Sequence, residues 1–289
     1  MALDELAMQH HTISANQPRG WQESVSSLEI PARLRAATLA TVMILFLVIL
    51  GPLQWVSLNT GLFPSAWIPA LFHTIVTRLL RLRVIQNGSP TQSGPALLVS
   101  NHVSWSDILV LSCCGPMRFV SKSEVATWPM FGTLARLQRT IFVDRGQRAS
   151  IPRVNAKMTQ AMLAGDPVVL FAEATSSDGT RVRRFRSSHV RAAADTASQT
   201  ENKFAYVQPV AIMYRGRWGM PMGRHERSDL AWYGNTDLLP HLWSVICSGP
   251  IDCHIHFGEP IECAPDTDIK QVTAQTEQAV RDMIAALRR

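Results

Sequence analysis

The chain has 289 residues, of which 46% are hydrophobic and 17% are charged, and its formal net charge is +6. This length suffices for a well-buried core, and the charged fraction lies below the roughly 25% of an average soluble domain. The five cysteines are odd in number and form no CxxC pair, which argues against a disulfide framework or a cysteine zinc site. The positive charge favours an anionic partner, such as nucleic acid, phospholipid, an acidic carrier protein or a phosphorylated cofactor.

The N-terminal third divides into a polar stretch and an apolar one. Residues 1–30 lack periodicity and are predicted to form a mobile polar tail. No charged residue occurs between Arg35 and Arg78, and residues 36–58 are almost wholly apolar. A helix needs about 20 such residues to cross the roughly 30 Å hydrocarbon core of a bilayer. We therefore predict a membrane-associated helical segment over residues 31–83.

Basic residues flank this apolar segment on both sides: Arg33, Arg35, Arg78, Arg81 and Arg83. Positive flanks tend to remain on the cytoplasmic side of a membrane. The pattern favours a hairpin or re-entrant pair over residues 36–77, interrupted by Pro64 and Pro69, in the cytoplasmic membrane with the remaining domain on its cytoplasmic face. A single span and a buried core helix are the alternatives.

Short β-branched runs alternate with helical stretches in the rest of the chain, which predicts an α/β domain over residues 84–289. Its mostly parallel mixed sheet would carry helices on its faces. The predicted strands are Ala96–Ser100, Met117–Val120, Thr140–Val143, Val168–Ala172, Ala205–Tyr214 and Ile251–Phe257. The predicted helices are Asp107–Cys114, Ser123–Leu137, Ile151–Ala164, Arg186–Ala197 and a C-terminal one over residues 269–287.

The sequence NHVSWSD follows the first of these strands directly, at residues 101–107. Sites in α/β sheets form at the carboxyl ends of strands. His102 is a candidate general base, and Asp107 lies where it can hydrogen-bond the imidazole and hold its tautomer. No activated serine or cysteine is evident nearby, so the base would act on a substrate hydroxyl. The alternative is a structural histidine that caps the next helix.

Two further polar clusters follow strands. In TIFVDRG, Arg145 is placed to bind a phosphate or carboxylate, or else to form a surface pair with Asp144. In FAEATSSDG, Glu173 and several hydroxyls share a turn. A basic segment comes next, and its arginines are Arg181, Arg183, Arg184, Arg186 and Arg191. This basic segment is suited to bind phosphate, an acidic carrier protein or lipid headgroups. The alternative is a solvated basic loop. The lack of aromatic residues between the arginines argues against nucleic acid as the ligand.

Together with VQPVA around Pro209, these clusters resemble the glycerolipid acyltransferase family, typified by the bacterial 1-acylglycerol-3-phosphate acyltransferases. The family's ordered motifs correspond here to NHVSWSD, TIFVDRG, FAEATSS and VQPVA, over roughly residues 75–265. AWYGN at residues 231–235 and SSDG after the third motif look like the lyso-ornithine lipid acyltransferase subgroup. For Trp232, and for Trp243 further on, membrane anchoring or core packing is the favoured explanation.

The resemblance implies a lysolipid O-acyltransferase in which His102 deprotonates the acceptor hydroxyl and Asp107 orients His102. The acceptor would be lysophosphatidic acid or a lyso-ornithine lipid. The acyl donor would be a thioester of acyl carrier protein or coenzyme A, with no metal or other cofactor and no nucleic-acid partner. The expected substrate-binding residues are Asn101, Ser104, Arg145, Glu173, Thr175 and Pro209, beside the basic patch Arg181, Arg183, Arg184 and Arg186.

The third motif departs from the family pattern at three positions. Ala172 replaces the usual Pro, Ala174 the usual Gly, and Ser176 an Arg that often follows the Thr. If the glycine position requires a positive φ, Ala174 costs roughly 1 kcal/mol. Two other functions are compatible with the residues: a non-enzymatic, basic protein that binds anionic lipid, and a His–Asp hydrolase that cleaves the thioester with water.

Overall fold

The structure is a computed structural model that describes residues 19–62, 65–144 and 146–288. Nine strands form one sheet, in the order β1-β8-β6-β2-β5-β3-β4, with β7 and β9 paired to β6. The strands are β1 Leu82–Asn87, β2 Ala96–Ser100, β3 Arg118–Lys122, β4 Ile141–Val143, β5 Val168–Phe171, β6 Ala205–Arg217, β7 Met220–Pro221, β8 Ile251–Phe257 and β9 Ile261–Cys263.

Strand β2 lies at the centre of the sheet. It pairs in parallel with β5 on one side and with β6 on the other, and all five of its residues are buried. β1 pairs in parallel with β8, and β3 with β4 and β5, whereas β6 runs antiparallel to β7, β8 and β9. The predicted mostly parallel mixed sheet is thereby confirmed.

Successive residues of β2 serve opposite faces of the sheet, because side chains alternate along a strand. Leu98 belongs to one apolar core, and Leu97 and Val99 belong to the other. The helices are α1 Arg19–Leu45, α2 Gly51–Thr60, α3 Trp67–Leu79, α4 Ser106–Ser112, α5 Phe131–Leu137, α6 Ile151–Leu163, α7 Arg191–Ala197, α8 Arg224–Leu230, α9 Leu238–Cys247 and α10 Ile269–Leu287. Helices α1, α3, α4 and α9 cover the face with Leu98, and α6, α7 and α10 cover the other face.

The N-terminal helices turn back on themselves. One π-helical turn, Phe46–Leu50, joins α1 to α2, and α3 follows after a break that begins at Gly61. Arg35, near the start of the apolar stretch, donates to the carbonyl oxygen of Ile246 at 2.7 Å. Arg81, just beyond α3, accepts from the amide of Ile251 at 3.0 Å. Both ends of the apolar stretch therefore lie beside one short region, residues 246–251.

The apolar side chains of these helices are unusually exposed. Among the described residues, Pro31–Thr60 is the one helix long and apolar enough to cross a membrane, and 22% of its most apolar window is buried. Leu34, Val48 and Trp55 are 68%, 68% and 62% exposed. Single exposed apolar residues are ordinary, but a contiguous apolar surface marks a partner or a membrane. The predicted polar tail is helical from Arg19 onwards, and residues 1–18 lie outside the described residues.

Two predicted helices differ from the structure. Ser123–Leu137 is divided into a 3-10 turn, Ser123–Thr127, and α5, because Met130 between them has a φ of 64°. The helix predicted from Arg186 begins only at Arg191, because the amide of Arg186 donates to the carbonyl of Ala172 and residues 187–190 form a turn. The sequence analysis also missed several elements: β1, β7, β9, α8 and α9.

Candidate active site

His102 and Asp107 form a contact directly beyond the carboxyl end of β2. Nδ1 of His102 lies 2.8 Å from Oδ2 of Asp107. A carboxylate only accepts hydrogen bonds, so this contact places a proton on Nδ1 and leaves Nε2 with a free lone pair. The His102 side chain is 14% exposed and that of Asp107 is 0% exposed. The structure therefore brings together the two residues that the sequence predicts to act as base and orienting group, and those roles stay a prediction.

Four donors converge on the Asp107 carboxylate. Oδ2 also accepts from the amides of Val103 at 2.7 Å and Ser104 at 3.0 Å. Oδ1 accepts from the hydroxyl of Tyr214 in β6 at 2.8 Å. Ser106 then donates to the Tyr214 oxygen at 2.7 Å, since the proton of Tyr214 is already used. This buried carboxylate is fully satisfied and its orientation is fixed.

Tyr214 is a residue that the sequence analysis missed. Burial first, and then the charge of Asp107, hold the pKa of Tyr214 well above its usual value, so the phenol stays neutral and keeps its proton. Tyr214 lies 107 positions from Asp107 in the sequence. No local pattern connects them, because the contact exists only through the pairing of β6 with β2.

Two neighbouring residues position the imidazole: one stacks on the ring, and the other anchors the loop that carries it. The His102 ring stacks on Phe171, the last residue of β5, with centroids 4.1 Å apart and planes inclined by 17°. The Asn101 amide pairs with the backbone of Ile212 in β6, donating at 3.0 Å and accepting at 2.9 Å. Asn101, a predicted substrate contact, thus holds the loop to the sheet. Ser104, another, is fully buried, and its hydroxyl has no partner among the described residues.

Glu173 lies in the turn after β5, next to the His102 loop. Its side chain is buried, with the residue 4% exposed, and neither carboxyl oxygen has a well-formed hydrogen bond within the described chain. Burial raises the pKa of Glu173 to about 8, against the opposing effect of the backbone groups of Arg183 and His102 that face it. A buried polar group without a partner is costly, so this carboxyl is suited to a bound ligand.

The rest of this turn explains the departures from the family pattern. Ala174 has a φ of 61°, so the position does adopt the left-handed conformation that favours glycine. The Ser176 hydroxyl donates to the backbone oxygen of Trp232, and the Trp232 amide donates to the carbonyl of Val103 at 3.0 Å. The Trp232 ring packs edge-on against Trp128, with centroids 6.1 Å apart. These contacts join the turn, the His102 loop and the 231–235 segment. Thr175 is exposed.

The remaining predicted residues are Arg145, the arginines of the basic patch and Pro209. Arg145 is outside the described residues. The four arginines of the basic patch are exposed, while Val182 and Phe185 between them are buried and anchor the segment. Pro209 is buried in β6, paired with Val99, between the β9 pairing that ends at Val207 and the β8 pairing that begins at Val210. Its missing N–H therefore breaks no ladder hydrogen bond on that side of an interior strand.

His254 and His256 alternate with buried residues of β8, and both side chains are half-buried. Across residues 19–62, 65–144 and 146–288, no group of three or more His, Cys, Asp or Glu side chains is arranged to hold an ion.

Known proteins are similar to this chain in both sequence and fold. A family model described as "Acyltransferase" matches residues 81–213. A lyso-ornithine lipid O-acyltransferase of Brucella abortus is 39% identical over 254 residues, which cover 87% of this chain and 94% of that protein. A second one, from Rhizobium meliloti, is 38% identical, with coverage of 87% and 86%. The crystal structure of the 1-acyl-sn-glycerophosphate acyltransferase PlsC of Thermotoga maritima has a TM-score of 0.62 at 18% identity, covering 90% of this chain and 97% of that one.

Proposed function

The chain belongs to the acyltransferase family, and on that premise we propose that it transfers a fatty acyl group from a thioester to the free hydroxyl of a lysolipid. The observation that carries the proposal is the His102–Asp107 contact of 2.8 Å at the carboxyl end of β2. With the proton on Nδ1, Nε2 of His102 can accept the proton of a substrate hydroxyl.

The reaction follows from this arrangement. As the hydroxyl oxygen of the acceptor attacks the carbonyl carbon of the thioester, its proton passes to Nε2 of His102. The imidazolium formed is stabilised by Asp107, whose four donors keep it oriented. The carbon–sulfur bond then breaks, and the proton on Nε2 is delivered to the departing sulfur. The products are the ester and the free thiol, and His102 returns to its starting form.

We favour a lyso-ornithine lipid over lysophosphatidic acid as the acceptor. The relatives that cover most of this chain carry the former name, at 39% and 38% identity. Glu173 supports the same choice, because a buried carboxyl without a well-formed partner in the described chain suits the ammonium of an amino-acid headgroup better than a phosphate. A cation beside it would lower its pKa and restore the carboxylate. Ser176, where the family often has Arg, is already bonded to Trp232.

We further propose that the N-terminal helices enter one leaflet of the cytoplasmic membrane as a hairpin. Both basic ends of the apolar stretch lie beside residues 246–251, which supports a re-entrant path rather than a single crossing. The indole of Trp105, inside the His102 motif, donates to His241 of α9 at 3.0 Å, and Arg35 contacts the other end of α9. Helix α9 therefore connects the active site to the hairpin, which suits a lipid acceptor that arrives from the bilayer.

The test is acyl transfer by the purified, detergent-solubilised full chain. Radiolabelled acyl carrier protein and acyl-coenzyme A would be offered with lyso-ornithine lipid, lysophosphatidic acid and lysophosphatidylcholine. We expect ester formation with lyso-ornithine lipid at the highest kcat/KM. Preference for lysophosphatidic acid would overturn the acceptor assignment alone. Fatty acid release that needs no acceptor would indicate a hydrolase, and lipid binding without turnover would indicate a non-enzymatic binding protein.

A further inference from the structure

A pocket adjoins the loop that carries His102. It is a shallow depression that is open to solvent. Asn101 and Val103, on either side of His102 in the chain, both line it. Ser177 also lines it and donates its amide to the carbonyl oxygen of His102 at 2.9 Å. A group bound in this pocket would therefore lie against the same loop as the catalytic imidazole.

Three arginines from separate parts of the chain line this pocket. Arg181 follows the Glu173 turn, Arg227 lies in α8, and Arg288 follows the last residue of α10. Arg224 lies one helical turn before Arg227, on the same side of α8. The Nη2 atom of Arg288 donates to the carbonyl of Thr180, which holds the end of the chain over the third motif. Only Arg181 belongs to the basic patch expected from the sequence.

The positive charges around the pocket are largely uncompensated. Within the described chain, none of Arg181, Arg227 and Arg288 forms an ion pair with a carboxylate. Asp178 is the nearby acid, and burial opposes its ionisation. Hydrogen bonds from Thr180 and the charges of Arg181 and Arg224 outweigh that opposition and hold its pKa below the usual value. Its Oδ1 already accepts from the amide of Thr180 at 2.9 Å, and the Thr180 hydroxyl lies 2.8 Å from both carboxylate oxygens.

The arginines also act on one another. Burial first, and then the charges of Arg227 and Arg224, lower the pKa of Arg288. Like charges gathered without a counter-charge destabilise the free protein, and a bound anion relieves that repulsion. Guanidinium groups bind phosphate through paired N–H donors, so three of them around one pocket are suited to a single phosphate group.

We propose that Arg181, Arg227 and Arg288 bind the phosphate of the acyl donor's phosphopantetheine arm. This subsite rests on the proposed function, since it requires that the acyl donor be a phosphopantetheine thioester. Both candidate donors, acyl carrier protein and coenzyme A, carry that phosphate. The favoured lyso-ornithine acceptor carries none. The subsite therefore recognises the phosphate that both donors carry. The acceptor would bind on the other side of the His102 loop, near Glu173.

Direct binding tests the subsite without turnover. The probes are 4′-phosphopantetheine and pantetheine, which differ by the phosphate alone, titrated into the detergent-solubilised full chain. We expect the phosphorylated probe to bind at least about 10-fold more tightly, as removal of charge-assisted hydrogen bonds costs about that factor or more. The double variant Arg227→Ala/Arg288→Ala should lose this preference. Lys270→Ala, which removes a charge roughly 27 Å away at the other end of α10, should keep it.

Kinetics then distinguish the sources of the phosphate. With acyl-phosphopantetheine as donor, the double variant should raise the donor KM about 10- to 100-fold. The KM for acyl-pantetheine and for the acceptor should remain unchanged. A rise confined to the KM of lysophosphatidic acid would assign the arginines to the acceptor and overturn the proposal. Equal binding of the two probes by the wild-type chain would also overturn it, whereas preferential binding without turnover would refute only the proposed reaction.

Discussion

Two turns at the candidate active site follow the carboxyl ends of the neighbouring strands β2 and β5. The turn with His102 and Asp107 is called the first corner, the turn with Glu173 and Ala174 is called the second corner, and they differ in how well their carboxyl groups are hydrogen-bonded. After β2, both carboxylate oxygens of Asp107 accept hydrogen bonds. The donors are two backbone amides, the imidazole of His102 and the hydroxyl of Tyr214 in β6. After β5, the Glu173 carboxyl is buried without a well-formed partner in the described chain, and Ala174 beside it is in the left-handed region. Within the described chain, the carboxylate of Asp107 is fully hydrogen-bonded and the carboxyl of Glu173 is not.

This difference indicates a division of labour. A saturated hydrogen-bond network fixes one geometry, which a general base needs in order to act at the moment of attack. An unsatisfied carboxyl and a strained turn cost stability in the free protein, and such costs persist at sites where a ligand supplies the missing contact. Substitutions in the first corner should therefore reduce turnover, and substitutions in the second should change stability and acceptor binding.

Removal of the proposed base, His102, should give the largest effect. His102→Ala should lower kcat by about 10³-fold, within the range expected for loss of a general base. The variant should retain its melting temperature within a few degrees, because Asp107 keeps its other three donors. His254→Ala, which removes a half-buried imidazole from β8, is the matched control and should retain activity. Turnover within about tenfold of wild type in His102→Ala would exclude His102 as the base.

Removal of one donor from Asp107 should have an intermediate effect. Tyr214→Phe deletes the hydroxyl that donates to Oδ1, and hydrogen bonds to charged groups contribute about 1.5–3 kcal/mol. We expect kcat to fall about tenfold with little change in KM. The pH–rate profile should also shift, because Asp107 loses a hydrogen bond that holds it against the imidazole of His102. Tyr206→Phe makes the same change on the same strand and should leave the profile unaltered. A change in stability with no change in the profile would reduce Tyr214 to a packing role.

The pH dependence of stability should report Glu173. Its pKa in the folded chain, about 8, lies above that of an unfolded glutamate, so the folded state holds the proton longer. Its stabilising contribution is therefore present below the unfolded pKa and is lost as pH rises towards 8. Glu173→Gln should remove that decline, measured as the free energy of unfolding from pH 4 to 9. The exposed Glu262→Gln should leave it in place. Identical pH slopes in wild type and Glu173→Gln would contradict the buried, unpaired carboxyl.

The smallest effect should be a gain in stability. Ala174→Gly relieves a left-handed alanine, which costs about 1 kcal/mol, and should raise the free energy of unfolding by about that amount. Ala285→Gly, in the exposed face of α10, should have the opposite sign and a similar size. Chemical denaturation of both variants gives the comparison directly. A loss of stability in Ala174→Gly would show that the turn is not strained.

The sequence predicts the first corner better than the second for a physical reason. His102 and Asp107 are five positions apart, at the end of a strand whose four apolar residues, Ala96–Val99, make it easy to recognise. The support from Tyr214 and Asn101 depends on the pairing of β2 with β6, which no local pattern encodes. The sequence does not predict the left-handed backbone at Ala174, because alanine does not favour that conformation.

The same limit applies to the fold. The long apolar runs of β2, β6 and β8 predict strands at or near the observed positions, whereas β9 has three residues and too little periodicity to detect. The helix predicted over Ser123–Leu137 breaks at Met130, and Gly132 then lets α5 pack closely on the 3-10 turn, since an added Cβ there would lie 2.3 Å from the carbonyl oxygen of Ala126. That clash is a tertiary property of the turn. The approach of Arg227 and Arg288 to Arg181 likewise depends on the packing of α8 and α10.

The central claim, a complete base corner that serves a hydroxyl acceptor, is tested most directly by reaction stoichiometry. Thiol release and ester formation would be measured together in the wild-type chain, with and without lyso-ornithine lipid. The account predicts equal amounts of thiol and ester, and thiol release that depends on the acceptor. Thiol release at the same rate without acceptor, with free fatty acid as the product, would contradict it, because His102 would then activate water rather than a lipid hydroxyl.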